Sequence, residues 1–143
     1  MTVPSPRRKP AVLFVCVKNG GKSQLAAALM RHEAGADITV TSAGTHPGVK
    51  LNALAVEVLK DLGIDVGAEH PKMLTEEAMQ AAGLVIVLGT EAEVPEIPGV
   101  RVETWVTDEP SLRGIEGRAR MELVRDDIHT RVKVLKEHLL AEA

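Results

Sequence analysis

From residue 11 to residue 17 the chain is apolar at almost every position, a run with no polar face, as expected of a strand covered on both sides in a parallel sheet. The period then changes. Leu25, Ala28 and Leu29 recur at helical spacing over residues 23–33, and Gly35 ends that helix before a second strand at residues 38–42. After Asn52, the residues Ala55, Val58, Leu59 and Leu62 form a further helical stripe, terminated by Gly63. Thr75 stands as the N-cap of a short helix running to Ala82, with Glu76 and Glu77 suiting its first turn and Gly83 its end. Residues 84–88 are a third strand, and residues 100–106 a fourth after a loop containing Pro95 and Pro98. Met121, Val124, Ile128, Val132, Leu135 and Leu139 then share one face of a long last helix. Strands alternating with helices predict a doubly wound α/β domain, a central parallel four-stranded sheet flanked by helices, with ligand at the strand C-terminal edge.

The length of 143 residues suits a single domain, assigned to residues 11–143, that buries its core without disulfides. Residues 1–10, with Pro4, Pro6, Arg7, Arg8, Lys9 and Pro10, read as a flexible basic leader lacking a signal-type apolar stretch. A net charge of −3 offers no general footprint for nucleic acid, and no apolar run reaches the length of a membrane span. The single cysteine excludes an internal disulfide and points to a cytoplasmic setting. An anionic ligand must therefore be held by local structure.

That structure is expected where the first strand ends. Cys16 is followed by Val17, Lys18, Asn19, Gly20, Gly21, Lys22 and Ser23, a glycine-bearing turn running into a helix. Successive backbone N–H groups in such a turn, together with the unpaired amides of the helix start, make an oxyanion site beside a thiolate nucleophile. Residues 17–23 are the candidate oxyanion-binding set. Ser23 is placed to donate a hydrogen bond to the thiolate. Asn19 suits the left-handed backbone such turns require. Lys22 opposes the helix dipole at this position, which favours an anionic partner for it. Asp108 and Glu109, just before Pro110, are candidates for the acid that protonates a leaving oxygen, or else cap that turn.

Other readings are weaker. Gly21-Lys22-Ser23 copies the end of a nucleotide phosphate loop, but Cys16 occupies the position that needs glycine, and the third strand leads to Gly89 and Thr90 in place of an aspartate for magnesium. His46, His70 and His129 lack ligand spacing, so no metal site is expected, and His32 and His138 read as surface positions. Asp126 and Asp127 are expected on the solvent side of the last helix, and Trp105 as core filling.

The motifs resemble the low-molecular-weight tyrosine phosphatase superfamily with its arsenate reductases, whose loop reads Cys, five residues, Arg, Ser. Ser42-Ala43-Gly44-Thr45, Leu62-Gly63-Ile64-Asp65, Asp108-Glu109-Pro110 and Val124-Arg125-Asp126-Asp127-Ile128 resemble later family segments in matching order. Lys22 stands where the family has arginine, and the pattern Cys-Val-x-Asn-Gly-Gly-Lys-Ser-Gln is similar to actinobacterial arsenate–mycothiol transferases. The resemblance implies the low-molecular-weight phosphatase fold, Cys16 as nucleophile, and Lys22 and Ser23 as its assistants. It further implies arsenate as substrate, mycothiol as thiol co-substrate, mycoredoxin as downstream reductant, and no bound cofactor. Thioredoxin-coupled members carry two further cysteines after the third strand, whereas residues 89–95 contain none. For the acid, side-chain type favours Asp108 and position beside proline favours Glu109. With no tyrosine, one phenylalanine and one tryptophan, the chain is poorly supplied with rings to wall a phosphotyrosine slot, and a small inorganic anion suits it better. Two alternatives stand: a protein tyrosine or small-ester phosphatase working through a Cys16 phosphoenzyme, and a non-catalytic oxyanion-binding module.

Overall fold

Four parallel strands, β1 (Ala11–Cys16), β2 (Thr39–Gly44), β3 (Leu84–Leu88) and β4 (Arg101–Trp105), lie in the order β2-β1-β3-β4. The computed structural model describes residues 9–142, so the expected leader falls almost wholly outside the described residues. The unbroken apolar run of β1 has its cause in two covered faces. Val12 and Phe14 turn to a core shared with α1 (Lys22–Ala34), α2 (Ala53–Lys60) and α4 (Gly117–Glu142), while Leu13 and Val15 turn to Met79 of α3 (Glu76–Ala82). β3 divides likewise, Leu84, Ile86 and Leu88 to the first face and Val85 and Val87 to the second.

Local chemistry sets the helix ends. Asn52 accepts a hydrogen bond from the Ala55 N–H at 3.1 Å to open α2, and Thr75 Oγ1 accepts from the Ala78 N–H at 3.1 Å to open α3. Gly83 closes α3 with φ of 72°, a backbone conformation that glycine adopts without strain. Met121, Val124, Ile128 and Val132 of α4 are buried, and Leu135 and Leu139 are partly buried against the same core. Each fully buried side chain of this kind contributes about 1.5–3 kcal/mol, so the stripe anchors α4 across the sheet. Trp105 packs on Phe14, ring centroids 5.8 Å apart.

Three expectations are corrected. β2 starts at Thr39 and continues to Gly44, because Gly44 pairs with Cys16 and also bridges to Met73. Leu62 lies beyond the end of α2 and is 36% exposed, since the chain turns at Asp61 before the stripe completes another turn. β4 is confined to Arg101–Trp105, and as an edge strand it leaves Val102 exposed. Among the described residues no helix is long and apolar enough to cross a membrane.

The strand order reverses between β1 and β3, since the chain leaves β1 toward β2 on one side and places β3 on the other. The C-terminal ends of those two strands form the crevice where doubly wound sheets bind ligands, and Cys16 ends β1 there.

Candidate active site

The loop after β1 is fixed by its carbonyls. Those of Cys16, Val17, Lys18 and Gly20 accept from the N–H groups of Thr45, His46, Gly48 and Asn52, the segment joining β2 to α2, at 2.8–3.2 Å. The Gly21 carbonyl accepts from Leu25 N, and that of Asn19 from Gln24 Nε2. Every carbonyl from Cys16 to Gly21 is thus committed. In a trans peptide the next N–H points opposite to the carbonyl, so the N–H groups of Lys18, Asn19 and Gly21 face away from residues 45–52. The Asn19 N–H accordingly donates to Cys16 Sγ at 3.2 Å. Asn19 takes φ of 53° to make this turn and is fully buried.

The loop also lies against β2 at close range. A Cβ on Gly44 would stand 2.6 Å from the Val17 carbonyl oxygen and 2.9 Å from Asn19 Cβ, so glycine is required for this approach. The same glycine donates its N–H to the Lys72 carbonyl at 2.7 Å.

Ser23, buried in the first turn of α1, sets its Oγ 2.9 Å from Cys16 Sγ. Asn19 Nδ2 donates to that Oγ at 2.8 Å, and Asn19 Oδ1 accepts from the Lys72 N–H at 2.9 Å. Lys22 extends from the helix start to Glu109 Oε1 at 3.2 Å. Arg120, near the start of α4, donates to Glu109 Oε2 at 2.9 Å and Oε1 at 3.2 Å, and Ser111 Oγ donates to Oε2 at 3.0 Å. A cavity of about 530 Å³ opens over these groups, its wall including Cys16, Lys18, Lys22, Thr107, Glu109 and Arg120. Neither Phe14 nor Trp105, which pack on each other, lines it.

Residues 11–143 match the family model described as low molecular weight phosphotyrosine protein phosphatase. The chain belongs to that family. A curated relative, arsenate reductase 1 of Staphylococcus haemolyticus, is 32% identical over 137 residues, covering 92% of this chain and 98% of the relative. Among solved structures, a thioredoxin-dependent arsenate reductase of Corynebacterium glutamicum superposes with a TM-score of 0.81 at 32% identity, covering 99% of this chain and 66% of that longer one. A tyrosine phosphatase of Erwinia amylovora superposes at 0.75 with 16% identity, covering 96% and 97% of the two chains, and shares the fold.

Within this family fold the two carboxyls before Pro110 separate. Glu109 lines the cavity with Cys16 and Lys22, whereas Asp108 is turned to Arg113, which donates to it through two nitrogens at 2.8 and 3.1 Å. Of the two candidates, Glu109, the one favoured by its position beside proline, lies in the cavity wall, and Asp108 lies against Arg113 outside it. Arg113 holds the Asp108 carboxyl below its ordinary range. Arg120 first, then Lys22 and Ser111, hold Glu109 down from 4.5 to about 2 against the opposing effect of burial.

Asp127 is also corrected. It is not simply solvent-facing, because its Oδ2 accepts from the Asp108 N–H at 2.9 Å and from Arg131 Nε at 3.3 Å, tying the acid loop to α4. His129 of α4 is half-buried with Nε2 3.0 Å from Glu33 Oε2, a contact that lowers the Glu33 carboxyl. Arg120 escaped the sequence reading altogether, since an arginine among Arg118 and Arg125 carries no sign of which one turns inward. Among the described residues no three His, Cys, Asp or Glu side chains gather as a metal site.

Proposed function

We propose that the chain is an arsenate reductase acting as an arsenate–mycothiol transferase. The observation that carries this reading is a single thiol, Cys16, in an amide-presenting loop whose cavity wall includes Lys18, Lys22 and Arg120 and has no phenyl or indole. A small tetrahedral oxyanion fits such a site better than an aryl ester does. The arsenate reductases among the relatives support arsenate as that oxyanion.

The thiolate of Cys16 attacks arsenic, forming a sulfur–arsenic bond, while an arsenic-bound hydroxyl receives one proton and leaves as water. The N–H groups of Lys18 and Gly21 and the first-turn amides of α1 hold the remaining oxygens, the Asn19 N–H steadies the sulfur, and Lys22 balances the charge. Ser23 stabilises the sulfur as nucleophile and as leaving group. Glu109, in the cavity wall beside Lys22, supplies the proton. A thiolate from solution then attacks arsenic, the Cys16–arsenic bond breaks, and Cys16 returns to its starting state. With a single cysteine in the chain, no internal disulfide can carry the reduction, which separates this chain from a thioredoxin-dependent relative and leaves a small thiol as reductant. Mycothiol is that thiol in this proposal. Mycoredoxin thiolate next attacks the mycothiol sulfur of the adduct, the sulfur–arsenic electron pair stays on arsenic, and arsenite leaves.

The test is arsenite release from arsenate by the purified protein with mycothiol, mycoredoxin and their reductase, each omitted in turn, and with Cys16→Ser. Turnover requiring Cys16, mycothiol and mycoredoxin supports the proposal. Turnover with another thiol retains arsenate reduction and removes mycothiol. Hydrolysis of a small aryl phosphate with no arsenite release points to a phosphatase, and inactivity with retained anion binding in Cys16→Ser leaves an oxyanion-binding module.

A further inference from the structure

The proposed acid presents a difficulty. Glu109 is held by two cations and a hydroxyl, an arrangement that keeps it ionised and unable to give a proton. The same contacts leave Lys22 engaged before any substrate is bound. Lys22 also lacks the planar fork by which an arginine grips two oxygens of one anion. A guanidinium is nevertheless present in the cavity wall, on α4. Arg120 contacts both oxygens of Glu109 through one nitrogen, while its Nε is buried and has no partner among the described residues. Thr107 Oγ1, in the same wall, is buried and likewise has no partner among the described residues. Buried donors without acceptors are costly, so the resting wall is under-satisfied in a way that an incoming anion relieves.

We infer that Arg120 is a second oxyanion-binding cation, parked on Glu109 until substrate arrives, and that Glu109 is a built-in competitor for the substrate's own place on Lys22 and Arg120. The carboxylate stands in for the oxyanion: two oxygens, a negative charge, and cation contacts of 2.9–3.2 Å. When a tetrahedral oxyanion settles beside Cys16, Lys22 and Arg120 exchange one anion for the other. Glu109 is released with Ser111 as its remaining donor, and it then lies beside the substrate's negative charge. Losing two cations and gaining an anionic neighbour favours uptake of a proton, so substrate binding itself readies the acid. Arg120 supplies from α4 the fork that the loop gave up at Lys22.

This inference rests on the oxyanion-site reading, and its test separates the two. Arsenate, and phosphate as a second probe, are titrated against alkylation of Cys16 by iodoacetamide in the wild type, Arg120→Met, Arg120→Lys, Glu109→Gln and the Glu109→Gln/Arg120→Met double variant. Arg120→Met is expected to weaken protection about tenfold or more, Arg120→Lys by less, and Glu109→Gln to strengthen it several-fold while slowing arsenate turnover. The decisive comparison is within Glu109→Gln. If Arg120→Met still weakens protection there, Arg120 contacts the oxyanion directly. If it does not, Arg120 merely tethers Glu109 and the inference is overturned, as it is if Glu109→Gln weakens protection. A wild type that neither anion protects overturns the oxyanion-site reading itself, and with it this inference. Should Arg120→Met fail to fold, the Glu109→Gln/Arg120→Lys double variant, which keeps a cation at the position, takes its place in the same comparison with the same two outcomes.

Discussion

Ser23 Oγ lies 2.9 Å from Cys16 Sγ, a contact in which the serine is the donor once its other neighbours are counted. The direction follows from the neighbours. The Lys72 N–H is a fixed donor and must meet the oxygen of the Asn19 amide, so Asn19 presents its nitrogen to Ser23. Ser23 Oγ therefore accepts from Asn19 and keeps its own proton for Cys16. A hydrogen bond to a charged partner contributes about 1.5–3 kcal/mol, which corresponds to about 10–100-fold in rate. Ser23→Ala is expected to slow Cys16 alkylation at neutral pH and arsenate turnover within that range, with circular dichroism unchanged. Asn19→Asp, which offers Ser23 an acceptor in place of a donor, should slow both as well. Unchanged alkylation in both variants would mean that Ser23 does not donate to the sulfur.

Gly44 positions the loop from the neighbouring strand. A methyl group there meets the Val17 carbonyl at 2.6 Å, and both partners are backbone segments held by hydrogen bonds. Gly44→Ala is expected to destabilise the fold by about 1–3 kcal/mol, the usual cost of overpacking. It should also lower turnover by more than Ser23→Ala does, because the amides proposed to hold the anion shift with Val17 and Asn19. Thermal unfolding and arsenate turnover on one preparation check both effects; a variant with wild-type stability would show that the loop and β2 separate easily.

What could be read from the sequence was the part written in local patterns. The strand–helix alternation, the caps at Asn52 and Thr75, the end of α3 at Gly83 and the left-handed Asn19 each depend on a few adjacent residues, and each is found. Cys16 and Ser23 are joined by one loop and meet as the spacing implies. The cation arrangement was not legible in the same way. Lys22 and Glu109 are separated by 87 positions and Glu109 and Arg120 by 11, so their meeting depends on how α4 crosses the sheet. Which of Asp108 and Glu109 lines the cavity depends on how the loop before Pro110 sits against α4, which composition does not record. Leu62 was misassigned for a related reason, since helical spacing continues through Asp61 although the backbone has already left the helix.

Lys22→Arg restores a planar fork beside the sulfur. The gain is limited, because the same fork suits Glu109, which already occupies this position. Phosphate is expected to protect Cys16 about threefold more tightly in Lys22→Arg, and hydrolysis of a small aryl phosphate should rise from its wild-type level. Weaker phosphate protection would mean that Lys22 is matched to its surroundings in a way that an arginine fork disrupts.

Acid should loosen the junction of α1, α4 and the loop before Pro110. Arg120, Lys22 and Ser111 lower the Glu109 carboxyl from its ordinary 4.5 to about 2. A carboxyl lowered on folding contributes stability that is fully present above its unfolded value and is lost as pH falls through the folded one. Its contribution is therefore constant from neutrality to about pH 5, declines below the unfolded value, and is gone near about pH 2. Asp108 and Glu33 are lowered as well and weaken in acid alongside it, so the wild-type profile alone does not isolate Glu109. The difference in unfolding midpoint between wild type and Glu109→Gln does. That difference should hold level from neutral pH to about pH 5 and then shrink toward zero as the carboxyl of the wild type is protonated. A gap that persists undiminished in strong acid would assign the effect to side-chain packing and remove the charge contacts with Arg120 and Lys22 as its cause.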